Sequence, residues 1–325
     1  MKIVVIGDIH GRDCWKNIVE IESDYDLLIF LGDYVSTHEN ISEDTQIENL
    51  KEILQYREDN ADKVVLLRGN HDMQHLGYHW SGCSGLFPNV QNKMNYRTKL
   101  GRRFLKDTKW LHYDKFSNIL YSHAGLTNTW FEHSGAKNIE DINNLKPSPL
   151  FGFNPDNPWD YYGDSISQPI TWVRPSALAK DSYKKEGLIQ VFGHTTNYRI
   201  IHEADKNYDF WMCDCLPSEY LVVDITDKPE FIVKSLHREF TFGNRYGETI
   251  KLVNIEEDKF KLILPKEFDD YTRVIINGDT RCIEAVDPPG GPYISVGSKI
   301  AGLVIQKIEL INGEFIMKIV EDEEI

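Results

Sequence analysis

The chain has 325 residues, of which 41% are hydrophobic and 12% are aromatic. This length and composition suit one large folded domain, alone or with a smaller second one, and they exclude a chain that is disordered throughout. The formal net charge of −15 repels nucleic-acid phosphates at long range, so we do not expect duplex nucleic acid to be a partner.

The cysteines and the N-terminal residues favour a cytoplasmic protein. The 5 cysteines are an odd number, and no spacing among them is typical of a disulfide framework. The apolar run at residues 3–6 is too short for a signal peptide, and no stretch approaches the length of a membrane-spanning helix. We therefore expect cytoplasmic localisation and no membrane partner.

The first part of the chain alternates apolar strands with amphipathic helices. Short β-branched, apolar runs predict buried strands at residues 3–6, 27–31 and 64–67. Helices are predicted between them at about residues 13–21 and 42–57, and a serine at the start of the second helix is the expected N-cap. This alternation is typical of an α/β sheet with parallel strands.

The middle of the chain carries more short strands and two long inserts. The predicted strands are at residues 119–122, 188–192, 198–202, 208–213, 220–223 and 231–235. The connections at about residues 73–95 and 127–168 read as irregular, and we expect them to be lids or binding loops. For residues 1–236 we predict a mixed α/β (α+β) domain, a four-layer β-sandwich of two sheets flanked by helices.

From about residue 237 the pattern predicts strands alone. Asn277-Gly278 and Asn312-Gly313 are dipeptides typical of tight hairpins, and the run from Pro288 to Pro292 must be a loop. We therefore predict a small all-β domain, a barrel or a sandwich, at residues 237–325, ending in a solvated acidic tail. Its expected role is partner binding or oligomerisation.

Polar clusters follow directly after predicted strands at several places along the chain. They are Gly7-Asp8-Ile9-His10-Gly11, Gly32-Asp33-Tyr34, Gly69-Asn70-His71-Asp72, Ser122-His123-Ala124-Gly125 and Gly193-His194-Thr195. Loops at the carboxyl ends of strands converge on the binding site of an open α/β sheet, so we expect these clusters to meet.

The chemistry of these clusters points to metal binding. Asp and Asn oxygens together with imidazole nitrogens suit divalent first-row metals such as Mn, Fe, Zn or Ni. Each cluster alone is more often a turn, a helix N-cap or a histidine with an ordinary partner. Their joint occurrence, in order and after strands, indicates a metal centre, and a carboxylate among them could bridge two ions.

These clusters resemble the calcineurin-like metallophosphoesterase superfamily, and most closely its phosphoprotein-phosphatase branch in its bacterial and phage forms. The pattern of that branch, GDxHG, GDYVDRG, RGNHE, HGGL and GHT, is approached in order over about residues 1–236. The resemblance implies hydrolysis of phosphomonoesters, on a phosphoprotein or a small phosphorylated molecule, at two divalent metal ions. Manganese is the first choice, with iron, zinc or nickel as alternatives. A hydroxide bridging the metals would attack phosphorus directly.

The resemblance also implies a role for each residue of the clusters. The implied metal ligands are Asp8 and His10 for the first ion, Asp33 as the bridge, and Asn70, His123 and His194 for the second ion. His71 would be the general acid that protonates the leaving oxygen. Asp72 stands where the branch usually has Glu, and we count it with His71 as a catalytic residue.

The chain departs from the branch at Ser36-Thr37, where the branch has an Asp-Arg pair. In the branch the Arg holds phosphate and the Asp orients the catalytic histidine. Arg174 and Arg12 are the candidates for phosphate binding here, because a forked guanidinium suits that task. Arg174 lies in a Trp-Val-Arg-Pro segment similar to one in bacterial phosphatases, and Arg12 follows the first cluster. An ordinary surface position is the alternative for each.

Three functions remain open at this point. The first is the phosphomonoesterase. The second is a phosphodiesterase acting on nucleotides or nucleic-acid ends, favoured by the lost Asp-Arg pair and by the basic run between Arg97 and Lys106. The third is a metal-stabilised, non-catalytic scaffold that binds a partner, and the retention of His71 argues against it.

Overall fold

The computed structural model describes residues 1–37, 39, 41–77, 85–153, 163–197 and 199–236, and beyond them the backbone of strands between residues 239 and 321. The chain divides into two compact units, Met1–Lys234 and Ser235–Ile325. No helix in the described ranges is both long enough and apolar enough to cross a membrane.

The first unit contains strands and helices that alternate along much of the chain. Its strands are β1 (Lys2–Ile6), β2 (Leu27–Phe30), β3 (Val64–Leu67), β4 (Thr108–Lys109), β5 (Leu111–Asp114), β6 (Ile119–Ser122), β7 (Ile189–Phe192), β8 (Ile201–Asp205), β9 (Tyr208–Met212), β10 (Glu219–Ile225) and β11 (Pro229–Ser235). Its α-helices are α1 (Trp15–Ile21), α2 (Glu43–Asp59), α3 (Asn70–His75), α4 (Pro88–Met94), α5 (Lys99–Asp107), α6 (Asn128–Ser134) and α7 (Pro175–Lys180).

These strands form two sheets. In the first sheet the order is β11-β10-β1-β2-β3-β4, with β1 to β4 parallel and β10 antiparallel to β1. In the second sheet the order is β5-β6-β7-β9-β8, and β6, β7 and β9 are parallel to one another. The expected mixed α/β fold, with two sheets and helices outside them, is confirmed.

The main hydrophobic core contains residues of both sheets. Ile3 and Val5 of β1 belong to one buried cluster with Tyr121 of β6 and Val191 of β7. Successive side chains of a strand point to opposite faces, so Val4 of the same strand faces the other way, and it is equally buried. Strands buried on both faces explain why the sequence shows continuous apolar runs there.

Helix α2 begins and ends close to its predicted limits. The hydroxyl of Ser42, the predicted N-cap, accepts a hydrogen bond from the Thr45 N–H at 3.1 Å. Glu43 and Asp44 occupy the first turn, where negative charge is favourable. Ile47, Leu50, Ile53 and Leu54 are buried, which is the spacing of one helical face.

Glu22, at the end of α1, is a buried carboxylate held by basic and phenolic side chains. Only 1% of its side chain is exposed, and its oxygens lie 2.6 Å from Lys2 Nζ and 2.7 Å from Lys234 Nζ. The Tyr220 hydroxyl donates to Glu22 Oε1 at 2.7 Å. Burial opposes ionisation, but these hydrogen bonds outweigh it and lower the pKa of Glu22 to about 2.

Several sequence predictions need correction. The insert at about residues 127–168 is not simply irregular, because it contains α6 and two 3₁₀ helices, Ile139–Asn144 and Pro149–Phe151. The insert at about residues 73–95 contains α4. Strand β8 begins at Ile201 rather than at residue 198, and neither β4 nor β5 was predicted.

The second unit is all-β in the part of it that the structure describes. Its strands are β12 (Glu239–Gly243), β13 (Thr249–Glu256), β14 (Lys259–Ile263), β15 (Thr272–Asn277), β16 (Thr280–Ala285), β17 (Pro292–Ser295), β18 (Lys299–Ile300), β19 (Leu303–Ile311) and β20 (Glu314–Glu321). They form one antiparallel sheet in the order β12-β13-β14-β20-β19-β18 and another in the order β15-β16-β17. Gly278, Asn312-Gly313, residues 288–291 and the acidic tail after residue 321 lie outside the described residues.

Candidate metal centre

The five polar clusters lie at the carboxyl ends of parallel strands in the two sheets. The assignments are Asp8 after β1, Asp33 after β2, Asn70 after β3, His123 after β6 and His194 after β7. Parallel strands end at the same edge of a sheet, and the two sheets pack face to face. The clusters therefore come together as the sequence predicted.

The centre of this arrangement is formed by Asp8, Asp33 and His123. One possible ligand atom from each lies within 4.8 Å of those of the others, and all three residues are buried. His123 Nε2 is 3.5 Å from Asp33 Oδ2. A buried group of two carboxylates and one imidazole could hold a divalent metal ion.

The other three predicted ligands adjoin this group. Asn70 Oδ1 lies 2.8 Å from His123 Nε2 and 3.0 Å from His194 Nδ1. His10 Nε2 is 4.0 Å from Asp8 Oδ2 and also 4.0 Å from Asp33 Oδ2. The structure thus brings all six residues to one place.

The three histidines share one arrangement of their ring nitrogens. One nitrogen of each ring contacts a backbone carbonyl. The pairs are His10 Nδ1 with Val35 O at 3.3 Å, His123 Nδ1 with Leu31 O at 2.9 Å and His194 Nε2 with Trp172 O at 3.0 Å. A carbonyl oxygen can only accept, so these nitrogens carry the proton. The other nitrogen of each neutral ring then presents its lone pair to the centre, as in metal-binding histidines.

The charge states of these residues fit a metal ion. Burial lowers the pKa of His123 to about 3 and lowers those of His10 and His194, so the rings are neutral. Neither ring nitrogen that faces Asn70 Oδ1 then carries a proton, so all three atoms can donate an electron pair to a metal ion. Burial also raises the pKa of Asp8 and of Asp33, which shows how costly their charges are without a cation. A divalent ion offsets both costs.

The backbone is strained at three of these residues. His10 has a φ of 46°, Asp33 a φ of 49° and His194 a φ of 65°, all in the left-handed region that side chains other than glycine rarely adopt. Each such residue costs about 1–3 kcal/mol, and such residues cluster at functional sites. The fold keeps this strain at the point where the strand ends turn toward a common centre.

His71 lies beside the metal-binding group, at the start of α3. Its N–H donates to Asp33 Oδ1 at 2.9 Å. Its ring is edge-on to the ring of His10, with a centroid separation of 5.4 Å. The His71 carbonyl is held by His75, whose Nδ1 donates to it at 2.8 Å. The His75 ring is itself fixed, because its Nε2 accepts the Phe87 N–H at 3.1 Å.

Asp72 is fully buried and points away from this group into the loops that support it. Its oxygens accept the N–H groups of Asp33 at 2.9 Å, Tyr34 at 2.8 Å and Gly69 at 3.0 Å. Burial raises its pKa to about 7, although these hydrogen bonds act in the opposite direction. Asp72 ties the loop after β2 to the loop after β3, so in this structure its contacts are those of a positioning residue.

Arg174 contacts the backbone of a predicted metal ligand. It is the N-cap residue of α7, and its Nη1 donates to the His194 carbonyl at 3.0 Å and to Thr195 Oγ1 at 3.2 Å. Burial lowers the pKa of its guanidinium, and Asp214 and Asp8 are the largest of the acidic influences that act in the opposite direction. Arg174 is therefore within the electrostatic reach of the centre.

Arg12 lies beside Asp8 of the same centre. Its Nη1 donates to the Asp8 carbonyl at 3.4 Å. Its Nε and Nη2 both lie 2.7 Å from Glu39 Oε1. The two arginines predicted to bind phosphate thus border the metal-binding residues, but much of the charge of Arg12 is matched by Glu39.

Ser36-Thr37, which stands where the phosphatase branch has Asp-Arg, is packed inward. Both residues are buried, and Ser36 has a φ of 73°. Ser36 Oγ donates to the Gly85 carbonyl at 3.0 Å and lies 3.4 Å from His75 Nδ1. The pair therefore supports the backbone near α3 and offers no guanidinium to a substrate.

Asp214 is a polar residue near the centre that the sequence analysis did not select. It follows β9, is buried, and accepts a hydrogen bond from Thr196 Oγ1 to its Oδ2 at 2.9 Å. The signal was available, because Asp214 also stands directly after a predicted strand. It was overlooked because cysteines flank it rather than glycine or histidine.

Comparison with known proteins gives a family match. The sequence profile of the family described as calcineurin-like phosphoesterase matches residues 1–223. No curated protein sequence matches the chain. Among solved structures, a cold-active protein-tyrosine phosphatase from the psychrophile Shewanella sp. is similar with a TM-score of 0.49 and 15% identity, over 72% of this chain and 80% of that one. A protein serine/threonine phosphatase from Saccharomyces cerevisiae is similar with a TM-score of 0.46 and 14% identity, over 73% of this chain and 79% of that one.

Proposed function

Because the chain belongs to the calcineurin-like phosphoesterase family, whose members are metal-dependent hydrolases, we propose that it hydrolyses phosphomonoesters with two divalent metal ions. The substrate class is a phosphoprotein or a small phosphorylated molecule. One observation carries the proposal: three histidines each donate one N–H to a backbone carbonyl and present the other nitrogen to a common centre with two buried carboxylates.

Asp8 and His10 would hold the first ion, and Asn70, His123 and His194 the second. Asp33 would bridge the two ions, and its position supports this because Asp33 Oδ2 lies 4.0 Å from His10 Nε2 and 3.5 Å from His123 Nε2. Manganese is the first choice for a set of carboxylate, amide and imidazole ligands, with iron, zinc or nickel as alternatives. Bound metals would lower the pKa of water and neutralise charge on the phosphoryl oxygens.

The remaining residues would orient the substrate and move a proton. His71 would hold the proton that passes to the leaving oxygen, and its backbone is fixed by Asp33 on one side and His75 on the other. Arg174 would contact the phosphoryl oxygens, with Arg12 adding positive charge beside Asp8. Asp72 would keep the two loops in register rather than contact the substrate.

A substrate panel tests the proposal. Aryl phosphate monoesters, aryl phosphate diesters and phosphopeptides would be assayed with the full chain, with and without Mn²⁺. We expect Mn²⁺-dependent turnover of monoesters. If none of Mn²⁺, Ni²⁺, Co²⁺ or Zn²⁺ supports hydrolysis of any member although Mn²⁺ binds, the non-catalytic scaffold is the correct alternative.

The role of His71 is tested separately. His71→Ala should lower turnover by about 10²–10⁴-fold, the usual contribution of a general acid, while bound Mn²⁺ stays unchanged. His133→Ala, which removes an exposed histidine of α6, is the control and should retain activity. Loss of metal together with activity in His71→Ala would show that His71 is a ligand instead.

A phosphodiesterase is the second candidate. The observation that favours it is the shortage of unmatched positive charge, since Ser36-Thr37 replaces the Asp-Arg pair and Glu39 contacts Arg12. A diester carries less negative charge than a monoester and needs fewer cations to hold it. Faster turnover of aryl diesters than of monoesters in the same panel would select this function over the first.

A further inference from the structure

Asp214 is a buried carboxylate for which none of the roles above accounts. Its strand, β9, is parallel to β7, and Phe192 pairs with Met212. His194 and Asp214 each lie two residues further along, so the chain leaves the sheet at both residues side by side. Asp214 therefore occupies a sixth strand end at the edge where the metal-binding residues meet.

The close approach of the two sheets places Asp214 near Asp8. A Cβ added to Gly7 would lie 2.0 Å from the Cys213 carbonyl oxygen and 3.5 Å from Asp214 Cα. No real Cβ could occupy that position without a shift of the backbone. Because residue 7 is glycine, the end of β9 can pack directly against the residue that precedes Asp8.

The charges around Asp214 are those of the proposed metal centre. Burial raises its pKa, and the Thr196 hydroxyl, Arg12 and Arg174 are among the groups that act in the opposite direction. Burial is the largest of the effects that raise the pKa of Asp8, and the charge of Asp214 is the second largest. Asp214 thus acts on a ligand pair, Asp8 and His10, and on both candidate phosphate arginines.

The contacts of Asp214 are those of an outer carboxylate rather than a direct ligand. Its Oδ2 accepts the Thr196 hydroxyl at 2.9 Å, and its carbonyl accepts the Asn197 N–H at 2.8 Å. Both the side chain and the backbone of Asp214 are therefore held in place.

We propose that Asp214 is a positioning residue of the metal centre, whose negative charge raises the affinity for the ion at Asp8 and His10 without direct ligation. This inference rests on the metal centre of the proposed function. Removing such a partner outside the ligand set typically weakens metal binding by about 10- to 100-fold. Asp214 is not a leading influence on His123 or His194, two of the residues proposed for the second ion, but it does raise the pKa of the bridging Asp33.

The experiment is a titration of the full chain with Mn²⁺, followed by calorimetry and by electron paramagnetic resonance of free Mn²⁺. Asp214→Asn is nearly isosteric and keeps an oxygen that can accept the Thr196 hydroxyl. We expect one of the two Mn²⁺ affinities to fall by about 10- to 100-fold and the other to fall by a smaller factor, because Asp214 also acts on the bridging Asp33. Asp209→Asn is the matched control, because Asp209 lies on the same strand and contacts His202 instead.

Thr196→Val provides a second, milder change. It removes the hydroxyl that holds Asp214 Oδ2 and leaves the charge, so the same Mn²⁺ affinity should fall by a smaller factor. Because Thr196 is exposed, this variant should fold even if Asp214→Asn does not.

The outcomes separate this inference from the proposed function. Wild-type affinity for both ions in Asp214→Asn, or in Thr196→Val where the first variant does not fold, overturns the inference. Equal loss of both ions also overturns it, because that would indicate general damage or direct ligation. If the wild-type chain binds no Mn²⁺ and no other first-row divalent ion, the proposed function itself fails.

Discussion

Gly193 offers the sharpest steric test of the metal centre. Its φ lies outside the left-handed region, so alanine is compatible with the backbone there. A Cβ at Gly193 would nevertheless lie 2.0 Å from Asp8 Oδ1 and 3.1 Å from Asp8 Cγ, and real Cβ contacts are essentially never shorter than 3.0 Å. In Gly193→Ala the Asp8 carboxylate must therefore move by roughly 1 Å.

The size of the effect follows from how strictly metals control ligand distances. Ligand positions in metal sites are defined to about 0.2 Å, and a misplacement of about 1 Å can reduce catalysis by about 10²-fold. The shift would also disturb the bonds from the His194 N–H to Asp8 Oδ1 and Oδ2, at 3.2 and 3.0 Å. We expect Mn²⁺ affinity and turnover to fall about 100-fold, which corresponds to about 2.8 kcal/mol.

Calorimetric titration with Mn²⁺, with thermal melting to confirm folding, measures this change. Gly135→Ala is the control, because Gly135 has a φ of 74° but nothing lies within 4 Å of an added Cβ. It should lower the free energy of unfolding by about 1 kcal/mol and leave Mn²⁺ affinity unchanged. A folded Gly193→Ala protein that binds Mn²⁺ as the wild type does would refute the steric argument and the ligand role of Asp8.

Two further predictions concern groups outside the ligand set. The pKa of Glu22 is lowered on folding, so its stabilisation is present above about pH 4.5 and is lost as pH falls toward 2. Glu22→Gln should lower the urea midpoint at pH 7 by the equivalent of about 2 kcal/mol and should flatten the acid dependence of that midpoint. Glu20→Gln, which changes an exposed carboxylate, should do neither. His75→Ala leaves the His71 carbonyl and the Phe87 N–H without their partner, so turnover should fall more than Mn²⁺ affinity. If the His75→Ala variant has wild-type stability in urea and also wild-type turnover, the contact between His75 and the His71 carbonyl does not position His71.

The parts of the fold that the sequence predicted are those with strong local patterns. β1, β3 and β6 are short, largely apolar runs buried on both faces, and each leads into one of the polar clusters. β4 has only 2 residues and β5 has the sequence LHYD, with one buried residue in four. Both exist because β3 and β6 pair with them. Strands this short leave no periodicity in the sequence, whether the partner is distant, as β3 is for β4, or is the next strand along the chain, as β6 is for β5.

The site was predictable to a similar degree, and for a related reason. Glycine with aspartate, asparagine or histidine at a strand end is visible in the sequence, so the clusters could be selected before their distances were known, and the family resemblance implied the six ligands within them. The direction of a side chain was not visible. His71 and Asp72 are adjacent, but successive residues of a helix point about 100° apart, so one lies at the centre while the other is directed into the supporting loops.

The same geometry predicts that metal binding and folding are coupled in this unit. The proposed ligands come from five strands of two sheets, and no short segment supplies more than two of them. An ion that engages all of them binds the folded chain and not the unfolded one, and it therefore stabilises the fold by mass action. That stabilisation opposes the strain at His10, Asp33 and His194 and the burial of Asp8 and Asp214. Packed sheets and the proposed cations would thus act together, since the sheets bring buried carboxylates close to one another and bound cations would offset their repulsion.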